Sequence, residues 1–284
     1  MNNSDNIIKF YGITKDSKTN NFMMVMDYAE NGNLRRKLNK DFNSLSWRDK
    51  ILILHSITNG LRDIHKEGLT HRDFHSGNIL NYNDTGTLIT DLGLCKPANE
   101  EESDKTVYGV LPYVAPEVLR GKKYTQASDV YNFGIIIYNI FNNEIPPYHD
   151  VAHDEFLGIK ICNGLRPKFN IKVSQLIEDL AKQCVDADPL KRPTAEYLFE
   201  RIGQWYGNLD KRNSEFNEDS EIHKQIKEVD EFNEKQTIKP SNNTELSYET
   251  HPQAIYTSRL LNFNNLPEPK NADDEEEYSG FFFV

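Results

Sequence analysis

One stretch constrains this chain more than any other: His71-Arg72-Asp73-Phe74-His75-Ser76-Gly77-Asn78, followed thirteen residues after Asn78 by Asp91-Leu92-Gly93. Two carboxylates and a carboxamide are thereby set on adjoining loops. Residues 79–82 and 87–90 are short strand-like runs on either side of the turn Asn83-Asp84-Thr85-Gly86, and a hairpin there lets positions distant in sequence converge on one cleft. Phosphoryl transfer requires a carboxylate that orients an attacking hydroxyl and accepts its proton. It also requires hard oxygen ligands that hold Mg²⁺ on nucleotide phosphates. Asp73 suits the first role, and Asn78 with Asp91 the second. Taken alone, the same residues also fit a plainer task, the capping of turns, so the neighbouring motifs have to decide.

The periodicities around this stretch set an α+β frame. Residues 7–13 and 22–26 are β-prone runs joined by a polar turn, which reads as an antiparallel hairpin that would be marginal by itself in water. From Ser46 the spacing becomes helical: Trp47, Ile51, Leu54, Leu61 and Ile64 form one stripe, with Ser46 as N-cap, Asp49 three residues on and Gly68 as the stop. A polar loop occupies 94 to about 116. Helical patterns follow at roughly 128–143, 155–162, 174–185 and 194–206. Strands first and helices afterwards give one α+β domain over residues 1–207.

Charge separates that domain from the rest. The chain carries 33 Lys+Arg against 44 Asp+Glu, a net of −11, and residues 208–284 alone hold 8 basic and 17 acidic side chains. An acidic chain of this kind lacks the surface that binds nucleic acid by neutralising phosphates. The last 77 residues are too polar to bury a core and are expected to form an acidic, largely disordered tail, with a frayed helix within 215–234. Two apolar islands interrupt the tail. One contains Ile255, Tyr256, Leu260, Leu261 and Phe263, and the other is the terminal Phe281-Phe282-Phe283-Val284. Either would serve as a docking motif that orders on a tail-binding partner, with a merely solvated tail as the alternative. Cys95, Cys162 and Cys184 are too scattered for a zinc or redox site and read as reduced structural thiols. There is no secretory pattern and no membrane span, so a cytoplasmic protein is expected.

The ordered set of motifs resembles the protein-kinase family, and within it the tyrosine-kinase-like group of Ser/Thr kinases, over residues 1 to about 207. His71-Arg72-Asp73 matches the catalytic-loop signature, and Asp91-Leu92-Gly93 the metal-binding triplet with Leu92 in place of the usual Phe. Ala115-Pro116-Glu117 matches the end of the activation segment. Asp129 resembles the aspartate that anchors the catalytic-loop backbone, and Arg192 the arginine that pairs with Glu117. Each tripeptide occurs by chance in unrelated chains, but five pieces in the right order are specific. The resemblance implies a protein-kinase-like fold, with a mostly helical large lobe over 31–207 and a remnant of the small β lobe in 1–30. It implies transfer of the ATP γ-phosphoryl group, with Mg²⁺, to Ser/Thr or Tyr hydroxyls of protein substrates in intracellular signalling.

In that resemblance Asp73 is the base, while Asn78 and Asp91 are the metal ligands. Met26 is the gatekeeper, Asp27, Tyr28 and Ala29 are the adenine-reading hinge, and Leu80 is part of the adenine floor. Met26 and Leu80 equally fit ordinary core, and Tyr28 a solvated aromatic. Arg72 beside Asp73 implies a loop that reads a phosphate on the activation segment, where Thr106 takes the regulatory position and Ser103 and Tyr108 are lesser candidates. A loop of unmodified hydroxyls is the alternative. Pro112-Tyr113 leans towards Ser/Thr acceptors.

The pattern also departs from the family. The glycine-rich phosphate loop, the strand lysine and the helix bearing its glutamate partner have no counterpart, and the opening residues resemble the segment just after that helix. The chain is therefore expected to be an N-terminal truncation of an active kinase, weak or inactive as it stands. A non-catalytic kinase-like scaffold is the alternative. His75 stands where a lysine is usual and Val110 where a threonine is usual. A histidine of ordinary pKa, about 6.5, would be charged only in part, so slower or pH-sensitive transfer follows. Small-molecule phosphotransferases of the aminoglycoside and choline type share the H-x-D-x-H-x-x-N segment but do not resemble this chain downstream.

Overall fold

In the computed structural model, which describes residues 4–41, 44–82, 86–98, 106–142, 145–237 and 249–272, the chain opens with an antiparallel hairpin. Its strands are β1 (Phe10–Lys15) and β2 (Phe22–Met26), paired from Phe10↔Met26 to Lys15↔Phe22. The first strand starts later than the expected 7–13. Ile7 and Ile8 are buried instead, with the Ile8 N–H donating to the Ile89 carbonyl at 2.9 Å and the Ile89 N–H to the Asn6 carbonyl at 2.8 Å. Apolar content alone cannot tell a strand residue from one that leaves the strand to join a core.

After α1 (Leu34–Asp41) comes α2 (Trp47–Lys66), which begins where its cap signals put it. Ser46 Oγ accepts the Asp49 N–H while the Asp49 carboxylate accepts the Ser46 N–H. Ile51, Leu54, Leu61 and Ile64 are fully buried, and Gly68 takes φ 70°, the left-handed turn that ends a helix at little cost. Two small antiparallel pairs follow. β3 (Leu69–Thr70) lies beside β6 (Lys96–Pro97), and β4 (Ile79–Asn81) beside β5 (Thr87–Ile89). Next along the chain is β7 (Val107–Gly109); Ser103 lies outside the described residues.

The helical mass consists of α3 (Pro116–Leu119), α4 (Gln126–Phe141), α5 (Glu155–Cys162), α6 (Gln175–Cys184) and α7 (Ala195–Leu209). α4 is buried on every side from Ser128 onward, so it forms the centre of the core and needs no polar stripe. It starts two residues before the expected position because Thr125 is the cap: Thr125 Oγ1 accepts the Ser128 N–H at 3.3 Å. Cys162 and Cys184 sit in this core as free thiols, and burial pushes the Cys162 thiol up to about 11, as inert structural thiols require. Among the described residues no helix is long and apolar enough to cross a membrane.

Beyond residue 208 both described stretches carry regular structure. α7 runs on to Leu209, and Asp210 is fixed by Arg48 at 2.8 Å and by the Tyr206 hydroxyl at 2.8 Å. α8 (Glu221–Thr237) overlaps the helix expected within 215–234 and buries Ile222, Ile226 and Val229, spaced four and three apart on one face. Trp47 Nε1 donates to Asp230 at 2.7 Å. Finally β8 (Arg259–Leu261) pairs antiparallel with β7. Composition scores a segment by what it can bury alone, whereas these few apolar residues are buried on a surface made elsewhere in the chain. The terminal island 281–284 lies outside the described residues.

Candidate active site

Asp129, in the first turn of α4, organises the loop that precedes β4. Its carboxylate is completely buried, accepts the N–H groups of His71 at 2.8 Å and Arg72 at 3.0 Å, and meets His65 Nε2 at 3.0 Å. These bonds hold Arg72 at φ 73°, a left-handed backbone that a side-chain-bearing residue keeps only where its surroundings over-determine it. The His71 ring braces the turn from within: Nδ1 accepts the Asp73 N–H at 3.3 Å, and Nε2 donates to the Thr90 carbonyl at 3.0 Å. Burial lowers the His71 pKa, which keeps the ring neutral and this donor–acceptor pattern intact.

The β4–β5 hairpin then does what its sequence pattern implies. One step beyond the Ile79↔Ile89 pair, the Asn78 carbonyl accepts the Thr90 N–H at 2.9 Å, so the loop bearing Asp73 and the residue before Asp91 are tied together. Asn78 Nδ2 donates to the Asp73 carbonyl at 2.9 Å and lies 3.4 Å from its Oδ2. The amide oxygen is therefore what Asn78 offers to a cation. Asp91 is exposed at φ 59°, ψ 56°, and its carboxylate makes no capping bond to the turn that follows, against the plainer reading of it as a cap. Among the described residues no three His, Cys, Asp or Glu side chains cluster to hold a metal. The amide oxygen of Asn78 and the carboxylate of Asp91 are donors of the hard type that Mg²⁺ takes together with nucleotide phosphates.

Asp73 itself is 6% exposed. Burial opposes its ionisation, but hydrogen bonds from His75 and Ser258 outweigh it and hold the carboxyl below its ordinary range. His75 Nδ1 accepts the Gly77 N–H at 3.0 Å, which leaves Nε2 as the donor, 3.5 Å from Asp73 Oδ1 and 3.1 Å from Ser258 Oγ. Ser258 Oγ in turn donates to Asp73 Oδ2 at 2.6 Å. Sequence reasoning did not single out Ser258; the only signal was the apolar island that contains it. Val110 is buried and brings no hydroxyl to this network.

The remaining expected residues lie elsewhere. Arg72 Nε donates to Thr70 Oγ1 at 3.2 Å, and its guanidinium lies over the Tyr124 ring; Thr106 is exposed just before β7. Met26 is 38% and Tyr28 81% exposed, which corrects the reading of Met26 as ordinary core: a two-stranded sheet has no second layer to bury it. The Asp27 N–H donates to the Lys9 carbonyl at 3.1 Å, and its carboxylate accepts the Tyr11 hydroxyl at 2.5 Å. Leu80 and Ala29 are half-buried, with Leu80 bridged to Asn33. Glu117 and Arg192 form the expected pair, twofold at 2.7 and 2.8 Å.

These geometries agree with what the sequence is similar to. Residues 1–202 match the protein kinase domain family. The chain is 30% identical over 227 residues to a probable serine/threonine-protein kinase of Dictyostelium discoideum, a match covering 76% of this chain and 13% of that protein. It is 33% identical over 196 residues to the probable serine/threonine-protein kinase roco5 of the same organism, covering 63% of this chain and 7% of that protein. Against the serine/threonine-protein kinase Nek9 of Xenopus laevis the identity is 31% over 202 residues, 69% of this chain and 21% of that protein. The chain thus spans only a minor part of the length of the curated relatives it matches. With the family matched over most of its residues and the anchor, loop and ion pair in place, the chain belongs to the protein kinase family.

Proposed function

We propose that this chain is a Ser/Thr protein kinase domain of the tyrosine-kinase-like group, acting in cytoplasmic signalling, that moves the ATP γ-phosphoryl group to a hydroxyl of a protein substrate. The observation that carries the reading is the bridge made by Asn78, whose side chain binds Asp73 while its carbonyl binds Thr90 next to Asp91. Asp73, kept ionised, takes the proton of the acceptor hydroxyl, and His75 Nε2–H steadies its other oxygen. Asn78 and Asp91 would hold the Mg²⁺, which would neutralise charge on the triphosphate. The backbone of Asp27, Tyr28 and Ala29 reads adenine over Leu80, and a phosphate on Thr106 answers to Arg72.

One observation favours a second reading, a nucleotide-free scaffold: the exposure of Met26 and Tyr28 leaves the adenine side open. Mg²⁺–ATP should raise the melting temperature, and Asp91→Ala should abolish the rise. Absence of any shift in the unaltered chain would favour the scaffold. Asp73→Asn should lower phosphoryl transfer about 10²–10⁴-fold, the usual weight of a positioned base.

A further inference from the structure

The acceptor side of the site is filled by the chain itself. From His251 to Leu266 the polypeptide runs across the large lobe and is fastened at both ends. The His251 N–H donates to the His149 carbonyl at 2.7 Å, the His153 N–H to the Gln253 carbonyl at 3.0 Å, and at the far end Arg120 Nε to the Leu266 carbonyl at 3.2 Å. Between these points Arg35 Nη1 donates to the Tyr256 carbonyl at 2.8 Å. β8 then extends the activation segment as a strand, in the register Val107↔Leu261, Tyr108↔Leu260, Gly109↔Arg259. Ser258 sits immediately before this ladder, its carbonyl accepting from the Tyr108 hydroxyl at 3.2 Å. The fastening selects one hydroxyl. Tyr256 OH turns away to the Pro147 carbonyl at 2.8 Å, and Thr257 is exposed, while Ser258 Oγ–H donates to Asp73 Oδ2 at 2.6 Å and its oxygen accepts from His75 Nε2.

We propose that residues 251–266 are an intrachain acceptor segment and that Ser258 is the residue this kinase phosphorylates on itself. The proposal rests on the reading of Asp73 as the base. In the transfer, Ser258 Oγ forms a bond to the γ-phosphorus of ATP. The bond from that phosphorus to the β–γ bridging oxygen breaks with its electron pair going to ADP. The Ser258 proton passes to the Asp73 carboxylate. No oxidant or reductant is involved. Because donor and acceptor belong to one chain, the step is first order, and an outside substrate must compete with a tethered segment whose effective concentration is about millimolar. The product carries a charge of about −1.5 to −2 beside the Asp73 carboxylate, so repulsion drives the segment out and clears the groove.

Two measurements on the full chain test this. Hydrogen exchange without nucleotide should show the amides of 107–109 and 259–261 protected together, and Leu261→Asp or Ser258→Glu should release both sets; unprotected amides in the unaltered chain would overturn the docking. In the second, the chain is incubated with Mg²⁺–ATP at protein concentrations spanning a hundredfold, with casein as outside acceptor and phosphosites read by mass spectrometry. Ser258 should be labelled at a rate independent of protein concentration. Leu261→Asp should lose that labelling and raise casein labelling at least about tenfold, as removal of a tethered competitor implies. Labelling of casein without Ser258 would overturn the acceptor role alone. Labelling of neither would overturn both that role and the kinase reading on which it rests.

Discussion

Residues 71–78 and the strands β1 and β2 are both short pieces of irregular or minimal structure, yet six of the eight residues in the first are buried while every residue of β2 is exposed. The loop is fixed from three directions, by Asp129 of α4, by Thr90 after β5 and by the His71 ring inside it. The hairpin is held chiefly by its own ladder, with the Asp27 N–H to the Lys9 carbonyl closing its end. The difference separates two demands of the proposed reaction. Proton acceptance and cation binding need side chains set to a fraction of an ångström, which only a saturated network supplies. Reading a planar base through backbone groups is compatible with a piece that shifts.

The contrast predicts its own largest effect at Asp129. Replacing it by Ala leaves two buried N–H groups and His65 without their acceptor and removes what holds Arg72 in its left-handed turn. By the usual cost of breaking a buried charged network, stability should fall about 3–5 kcal/mol, read from urea midpoints. A loss below about 1 kcal/mol would mean the loop keeps its shape by other means and that the two regions are not built differently.

The large lobe was legible because its signals are local. Ser46 and Asp49 announce a capping box that forms, the four-residue turn between residues 79–82 and 87–90 dictates a pairing that brings Asn78 beside Thr90, and Asp129 and Arg192 meet the partners their motifs imply. What was not legible depends on surfaces that no local pattern encodes. The residues of the hairpin are as apolar as core, and nothing in the string Phe-Met-Met-Val-Met tells that no layer covers them. The fate of Ser258 depends on a strand register with β7 about 150 residues upstream, and a single serine in an acidic tail carries no periodicity. Polar composition marks such a segment as unable to fold alone, which is a different statement from having no place to bind.

A smaller effect sharpens the comparison through pH. His55 on α2 stacks on Phe199 at 4.7 Å between ring centroids, and burial, then the neighbouring Arg62, lowers its pKa; burial lowers that of His71 as well. A lowered histidine refuses in the folded state a proton that the unfolded chain accepts. Stability is therefore complete above about pH 6.5 and is lost as pH falls below it. Residues 1–54 contain no histidine, so the hairpin has no share in this loss. Urea midpoints at pH 7.5 and 5.5 should fall on acidification, and His55→Gln should lessen the fall. An unchanged fall would assign it to His71 and His153, whose pKa values burial also lowers.

The smallest effect is expected at the hairpin. Met24 is 68% exposed and pairs with Ile13, itself exposed. Met24→Ser removes a side chain that mostly faces water in the folded and the unfolded chain alike, so little apolar burial is lost, and serine keeps the backbone N–H and C=O that make the ladder. The change in stability should stay within about 0.5 kcal/mol, the range of surface substitutions away from special features. Strand propensity differs between Met and Ser by less than the whole scale of about 1 kcal/mol, which does not alter that expectation. A loss of 2 kcal/mol or more, measured at several protein concentrations, would break the comparison. A loss of that size independent of concentration would mean the hairpin packs on its own chain. A loss that vanishes on dilution would mean the exposed strands are covered by a second molecule in solution.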